Sequence, residues 1–265
     1  MKAKASFVVG LGLVAVMWLV GIAWPLTEGY PSLFHWLKDR AITEDEPRFD
    51  RTQLRADLVT AGFTLGDPAH VRIYKRERRL ELWMQKDDGA FEMFRDYAIC
   101  NFSGDLGPKV REGDRQAPEG FYRIARAQLN PNSRHHLAFN LGFPNQFDRQ
   151  LDRTGSALMV HGGCTSIGCY AITDAAVDEV YAVIEAALNN GQDEVDVAAF
   201  PFALSEGALV AHAGGVWDGF WRNLKQGFDL FEQERKPPKV AACNGVYRFG
   251  ADAESEGCVA ITGWV

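Results

Sequence analysis

The sequence has no paired CxxC motif, no internal repeat, no low-complexity tract and no excess of basic residues. Without paired CxxC units there is no ribbon-type zinc site, and the spacing of a thioredoxin-like dithiol is missing too. With 28 Lys and Arg against 35 Asp and Glu, the net charge is -7. A surface that tracks nucleic acid phosphates normally carries the opposite sign, so no nucleic acid partner is expected. The chain also lacks an even cysteine count. Cys100, Cys164, Cys169, Cys243 and Cys258 leave at least one thiol without an intramolecular partner in an oxidising compartment.

What is present is enough for one large core: 265 residues, 47% of them hydrophobic, suit a single domain with small additions. Lys2 and Lys4 precede an uncharged run from Phe7 to Leu26, about the length that spans a bilayer. Residues 1–26 therefore read as a signal anchor, or as a signal peptide cleaved after Ala23. Both put the remainder outside the cytoplasm. Residues 27–49 read as a tether. From Asp50 the pattern changes: "HVRIYKRERRLELWMQKDDGAFEMFRDYAIC" alternates apolar with polar residues around an Asp87-Asp88-Gly89 turn. This predicts antiparallel strands with Val71, Ile73, Leu80, Leu82, Met84, Phe91 and Met93 on one face.

Short strands are expected over 121–127, 136–141 and 156–160. A helix capped by Thr173 or Asp174 should run through Val177, Val180, Tyr181, Ile184 and Leu188 to Asn190-Gly191. A strand ending at Pro201 follows, and then an amphipathic helix in "WDGFWRNLKQGFDLFEQE". Its Phe220, Trp221, Phe228 and Phe231 have the spacing of core packing rather than of a glycan platform. Residues 251–265 are set apart as a tail.

The segment "MVHGGCTSIGCYAITD" concentrates the chemistry. A thiol attacks carbonyl carbon as thiolate, and it needs a base or local positive charge to become one at neutral pH. His161 and the N-terminus of the following helix supply both for Cys169, which predicts a thiol held below its ordinary pKa. Gly168 lets the chain turn and leaves the N–H groups of Gly168 and Cys169 free for a developing oxyanion, with Ser166 orienting the site. Spacing alone also allows two plainer readings, a buried small hydrophobe or a Cys164–Cys169 disulfide.

His161-Gly162 followed by Ser166-Ile167-Gly168-Cys169 resembles the signature of the YkuD-type L,D-transpeptidases. "GPKVREGDRQAPEGFYRI", "NPNSRHHLAFNLGFPNQFDR" and "FWRNLKQGFDLFEQERKPPKV" are similar to its YafK-like murein branch. The likeness runs from about Asp50 to Phe249. It implies an α+β, β-rich fold: a YkuD-like β-sandwich catalytic domain over 50–250 with flanking helices, preceded by the N-terminal membrane segment. It also implies cysteine acyl transfer on peptidoglycan stem peptides through a thioester, without cofactor or metal, in the periplasm of a Gram-negative bacterium. Cys169 falls on the nucleophile's position and His161 on the general base's, while Ser166 and Gly168 precede the nucleophile. Glu119 and Tyr122, in "QAPEGFYRI", fall beside the cleft, as do His136, ranked above His135, and Gly162.

The loop from His161 to Cys169 is shorter than in most of the family. Ile167 stands where histidine is usual, and no arginine follows Cys169. These departures leave the acyl acceptor open between an amine and water, hence between a transpeptidase and a hydrolase that trims stems or releases a murein-bound lipoprotein. With Cys169 kept free, Cys100–Cys164 and Cys243–Cys258 are the favoured disulfides, an inert buried Cys164 being the alternative. Lys109, Arg123 and Arg134 are candidates for meeting substrate carboxylates. A non-catalytic murein-binding scaffold and a thiol redox protein remain the rival classes.

Overall fold

A computed structural model describes residues 49–264. The predicted signal or anchor (1–26) and nearly all of the tether (27–49) lie outside them. Among the described residues no helix is long and apolar enough to cross a membrane.

Asp50 starts the first helix, α1 (Arg51–Thr60), by accepting the Thr52 N–H at 2.8 Å, and Leu54 and Leu58, one turn apart, are buried. Strands β1 (Ala69–Tyr74), β2 (Arg79–Gln85) and β3 (Phe91–Ala98) form an antiparallel meander. Strand β10 (Val195–Phe200) lies parallel to β1, and β5 (Gly120–Ile124) closes the far edge, so the order is β3-β2-β1-β10-β5. A second five-stranded sheet runs β4 (Asn101–Phe102), β9 (Tyr170–Ala171), β8 (Met159–His161), β7 (His136–Asn140), β6 (Leu129–Ser133). Helix α2 (Gln146–Gln150) follows β7 in the chain, and α3 (Asp174–Asn189) follows β9, capped by the Thr173 hydroxyl. Both sheets and α3 share one core, in which Val71, Ile73, Leu82 and Val197 meet Phe139, Val160 and Tyr170 and the helical Val177, Val180 and Ile184.

The alternation in β1 predicts one solvated face, yet all six of its residues are buried. The outer face of the first sheet is covered by α5 (Asp218–Glu234), which follows the short α4 (Glu206–Val210), and by a third sheet of β11 (Val240–Cys243), β12 (Val246–Phe249) and β13 (Val259–Ala260). Polar residues of β1 are therefore paired rather than hydrated. Arg72 is 2% exposed, bonds Glu232 at 2.7 Å and lies 4.5 Å from the Phe231 ring centroid. Trp221 and Phe231 on α5 are core residues.

Phe91 and Met93 are not on the face predicted for them. A bulge between Leu82 and Trp83 makes Trp83 pair with Met93, whereas Leu82 pairs with Arg95. The extra residue reverses the alternation. Phe91 then packs with Trp83 and Phe231 on the outer side, and Met93 is 46% exposed. The C-terminal residues are tied into this body: Ile261 is buried, and the Trp264 N–H donates to Gln128 Oε1 at 2.7 Å.

Candidate active site

Strands β8 and β9 are parallel neighbours, pairing Val160 with Tyr170 and His161 with Ala171. Parallel neighbours usually need a crossover of a dozen or more residues; here residues 162–169 make the connection. Backbone of positive φ at Gly163 (81°), Cys164 (46°) and Gly168 (93°) allows so tight a return. A disulfide from Cys164 to Cys100, Cα atoms 5.3 Å apart, ties the loop to the residue before β4. The second disulfide joins Cys243 to Cys258, and Cys169 is the free cysteine.

Continuing the register one residue back sets Cys169 beside Met159, whose N–H donates to Sγ at 3.4 Å. Alternation then puts Met159, His161 and Cys169 on one face. The Cα atoms of His161 and Cys169 are roughly 8 Å apart, from about 6.6 Å along the strand and about 4.8 Å across. Both side chains line one cleft of about 390 Å³ with Asn101, His135, Met159, Thr165, Ser166 and Ile167. His161 is 3% exposed, and its Nδ1 lies 2.6 Å from the Gly162 carbonyl. A carbonyl only accepts, so Nδ1 carries the proton and Nε2 keeps its lone pair.

Burial pushes the Cys169 thiol up from its ordinary pKa, opposed by the Met159 N–H and by Lys109. Burial pushes His161 down, opposed by its bond to Gly162 and reinforced by His135. Both directions favour a neutral thiol beside a neutral imidazole. This corrects the expected low thiol pKa. Strand β9 and residues 172–173 separate Cys169 from α3, whose N-terminal Ala176 N–H is capped by the Thr173 hydroxyl.

The expectation of two free N–H groups is corrected as well. The Gly168 N–H donates to Ser103 Oγ, and the Cys169 N–H to Ser166 Oγ at 3.0 Å. A developing oxyanion reaches either only by displacing a hydroxyl. Ser166 grips the Cys169 peptide from both sides, since its hydroxyl also donates to the Cys169 carbonyl at 2.6 Å.

Four residues expected at the substrate do not line the cleft. Glu119 is 0% exposed and bonds Lys75, the Gly107 N–H and Trp221 Nε1. Tyr122 is 1% exposed, its hydroxyl donating to the Glu119 carbonyl at 3.2 Å. Neither borders the cleft: Lys75 and Trp221 of α5 enclose Glu119, and Tyr122 belongs to the core between the sheets. His136 turns outward to Asp178 at 2.8 Å, and His135 takes the place in the cleft. Gly162 is buried and contributes its carbonyl; a methyl there would meet Asp174 Oδ1 and the His135 carbonyl. Among the candidate cations, Arg123 is bound to Asp196 and Glu194, and Lys109 to Asp114 at 2.6 Å. Arg134 is exposed. Sequence reasoning missed Ser103, Asn101 and Met159. Only the nearby Cys100 hinted that residues 101–103 approach the loop.

A family model for the YkuD L,D-transpeptidase catalytic domain matches residues 68–197. YafK of Escherichia coli (strain K12), an L,D-transpeptidase by name, is 44% identical over 183 residues, 69% of this chain and 74% of that protein. The chain belongs to the YkuD L,D-transpeptidase family. The YafK protein of Escherichia coli O157:H7 matches to the same extent. Among solved structures, the helical cell shape determining protein Pgp2 of Campylobacter jejuni aligns over 57% of this chain and 56% of its own, at TM-score 0.40 and 21% identity. Bd1075 of Bdellovibrio bacteriovorus aligns over 63% and 57%, at TM-score 0.35 and 17% identity. The sequence relationship carries the assignment, and membership of the YkuD family supports a peptidoglycan-related activity.

Proposed function

We propose that the protein is a cysteine acyl-transfer enzyme of peptidoglycan stem peptides. The observation that carries this reading is a buried imidazole with a free Nε2 sharing a cleft with the free thiol. Cys169 Sγ attacks the carbonyl carbon on the L-centre side of an L,D-peptide bond while its proton passes to His161 Nε2. Because the resting pair is neutral, His161 acts as a general base during attack rather than as the partner of a preformed thiolate, a role that contributes about 10²–10⁴-fold. The tetrahedral intermediate collapses, the C–N bond breaks, and the leaving amine takes the proton back from His161. An acyl thioester remains on Cys169.

An incoming amine resolves the thioester into a crosslink, and water resolves it into a free carboxyl group. The first makes the protein an L,D-transpeptidase; the second makes it a carboxypeptidase, an endopeptidase or an enzyme that releases murein-bound lipoprotein. Two disulfides suit an oxidising compartment, which supports a periplasmic location reached through the N-terminal segment, as exported protein or tethered to the inner membrane. The test is mass spectrometry of muropeptides from sacculi, with and without bound lipoprotein, incubated with the protein or its Cys169→Ala variant. New crosslinks made only by the intact thiol identify a transferase. Shortened stems or released protein identify a hydrolase, and unchanged sacculi refute both.

A further inference from the structure

The face of His161 is covered by a second imidazole. The His135 ring centroid lies 4.6 Å from that of His161, with the planes 31° apart. Stacking at this angle is not a hydrogen bond, so His135 neither accepts the His161 proton nor competes for Nε2. The same residue grips the base through its backbone. The His135 carbonyl accepts the Gly162 N–H at 3.1 Å, and the His135 N–H is held by Ser133 Oγ at 3.0 Å. The turn between β6 and β7 thus presses a ring on His161 and a carbonyl on the residue whose own carbonyl fixes the His161 tautomer. Unlike His161, His135 is exposed, at the mouth of the cleft.

We propose that His135 is a positioning residue that gates the base by its own charge: its neutral ring supports the imidazolium formed during thiol attack, and its protonated ring opposes it. The proton affinity of His161 is then coupled to the charge on residue 135. This rests on His161 being the base, as in the reading above. A neutral aromatic face attracts a cation stacked on it, whereas two unit charges 4.6 Å apart repel. Even at the dielectric of bulk water that repulsion weakens proton binding at His161 by about fivefold.

The other ionisable groups nearby do not duplicate this effect. Asp174 lies against Gly162, from the N-terminus of α3. Asp178 of the same helix is occupied by His136 on the outer side of the hairpin. Arg134 is exposed at the turn. Cys169 shares the cleft, and Lys109, bound to Asp114 and outside the cleft lining, acts on Cys169.

The experiment is an NMR titration of the His161 ring in the folded protein, compared with His135→Phe, which keeps a ring without a titrating charge, and His135→Gln, which removes the ring. Thermal melting confirms that each variant is folded. In His135→Phe, His161 should bind its proton at least about fivefold more tightly at pH values where His135 is charged in the parent. His135→Gln should also remove the charge coupling, and it should lower kcat with KM retained. An unchanged His161 titration in His135→Phe overturns the proposal. Because the titration needs no substrate, the two failures are distinguishable: coupling in protein inactive on sacculi counts against the murein reading, and absent coupling counts against the role of His135.

Discussion

Replacing Glu119 by Gln should destabilise the protein strongly and leave KM nearly unchanged, with a cost that shrinks as pH rises. Glu119 and Lys75 side chains are both 0% exposed, with Nζ 3.0 Å from Oε1. At an effective dielectric of about 20 their attraction is about 5.5 kcal/mol. After the substitution the Lys75 ammonium keeps the Gly107 carbonyl at 2.7 Å and the more distant Asp105 carbonyl, with no carboxylate in contact and only the weaker pull of Asp114 and Asp105. Breaking such a pair from one side typically costs about 3–5 kcal/mol.

The protein has one escape, which is to release the Lys75 proton. Burial already pushes this ammonium down from its ordinary pKa, and Glu119 opposes the shift most, ahead of Asp114 and Asp105. From an unfolded-state lysine near 10.4, neutralisation costs about 4.6 kcal/mol at pH 7 and about 1.9 kcal/mol at pH 9. These values cap the destabilisation. In the variant the folded lysine titrates below the unfolded one, so the unfolded state binds more protons and stability rises with pH between the two values. Denaturant unfolding with disulfides intact should give a loss of about 3–4.6 kcal/mol at pH 7 and no more than about 2 kcal/mol at pH 9. Lys75→Met added to Glu119→Gln should recover part of it, since it removes the stranded charge while leaving an acceptor for the buried N–H groups. A loss under about 1 kcal/mol with a raised KM would return Glu119 to the substrate cleft.

Alkylation of Cys169 by iodoacetamide should accelerate about tenfold per pH unit and keep rising beyond about 8.5, where a peptide thiol levels off; a plateau near pH 7 would mean a preformed ion pair instead. Ser166→Ala should lower kcat about tenfold through loss of its two bonds to the Cys169 peptide, and unchanged kinetics would remove Ser166 from the site. Cys100→Ser with Cys164→Ser opens a link between residues 64 positions apart, worth about 4 kcal/mol on the chain-entropy estimate. It should also reduce turnover in protein that remains folded, whereas full activity would show that the loop holds its shape without the bond.

Much of this was legible because it is local. Helix α3 follows from its cap and from the spacing of Val177, Val180 and Ile184, and strand β10 stops at Pro201. Cys169 and His161 were found through a motif within one short segment, and the free thiol followed from an odd count. What escaped depends on partners distant in sequence. Glu119 looks like a cleft residue until Lys75 and Trp221 close over it, and Tyr122 until the core between the sheets takes it in. His135 and His136 are adjacent, and a left-handed φ of 65° at His136 helps decide which ring turns inward. The thiol pKa was misjudged because proximity to a helix in sequence was taken for contact with its first turn.

The loop between β8 and β9 sets two sulfurs five residues apart to opposite fates: Cys164 is oxidised and Cys169 is free. Nothing in their own chemistry separates them. Sheet geometry does, since β4 pairs with β9, bringing Cys100 to Cys164, while the edge of β8 takes Cys169. A chain oxidised before those strands meet has no such guide, and the thiols nearest in sequence are Cys164 and Cys169 themselves. Strand pairing first and oxidation second is the order that leaves Cys169 free.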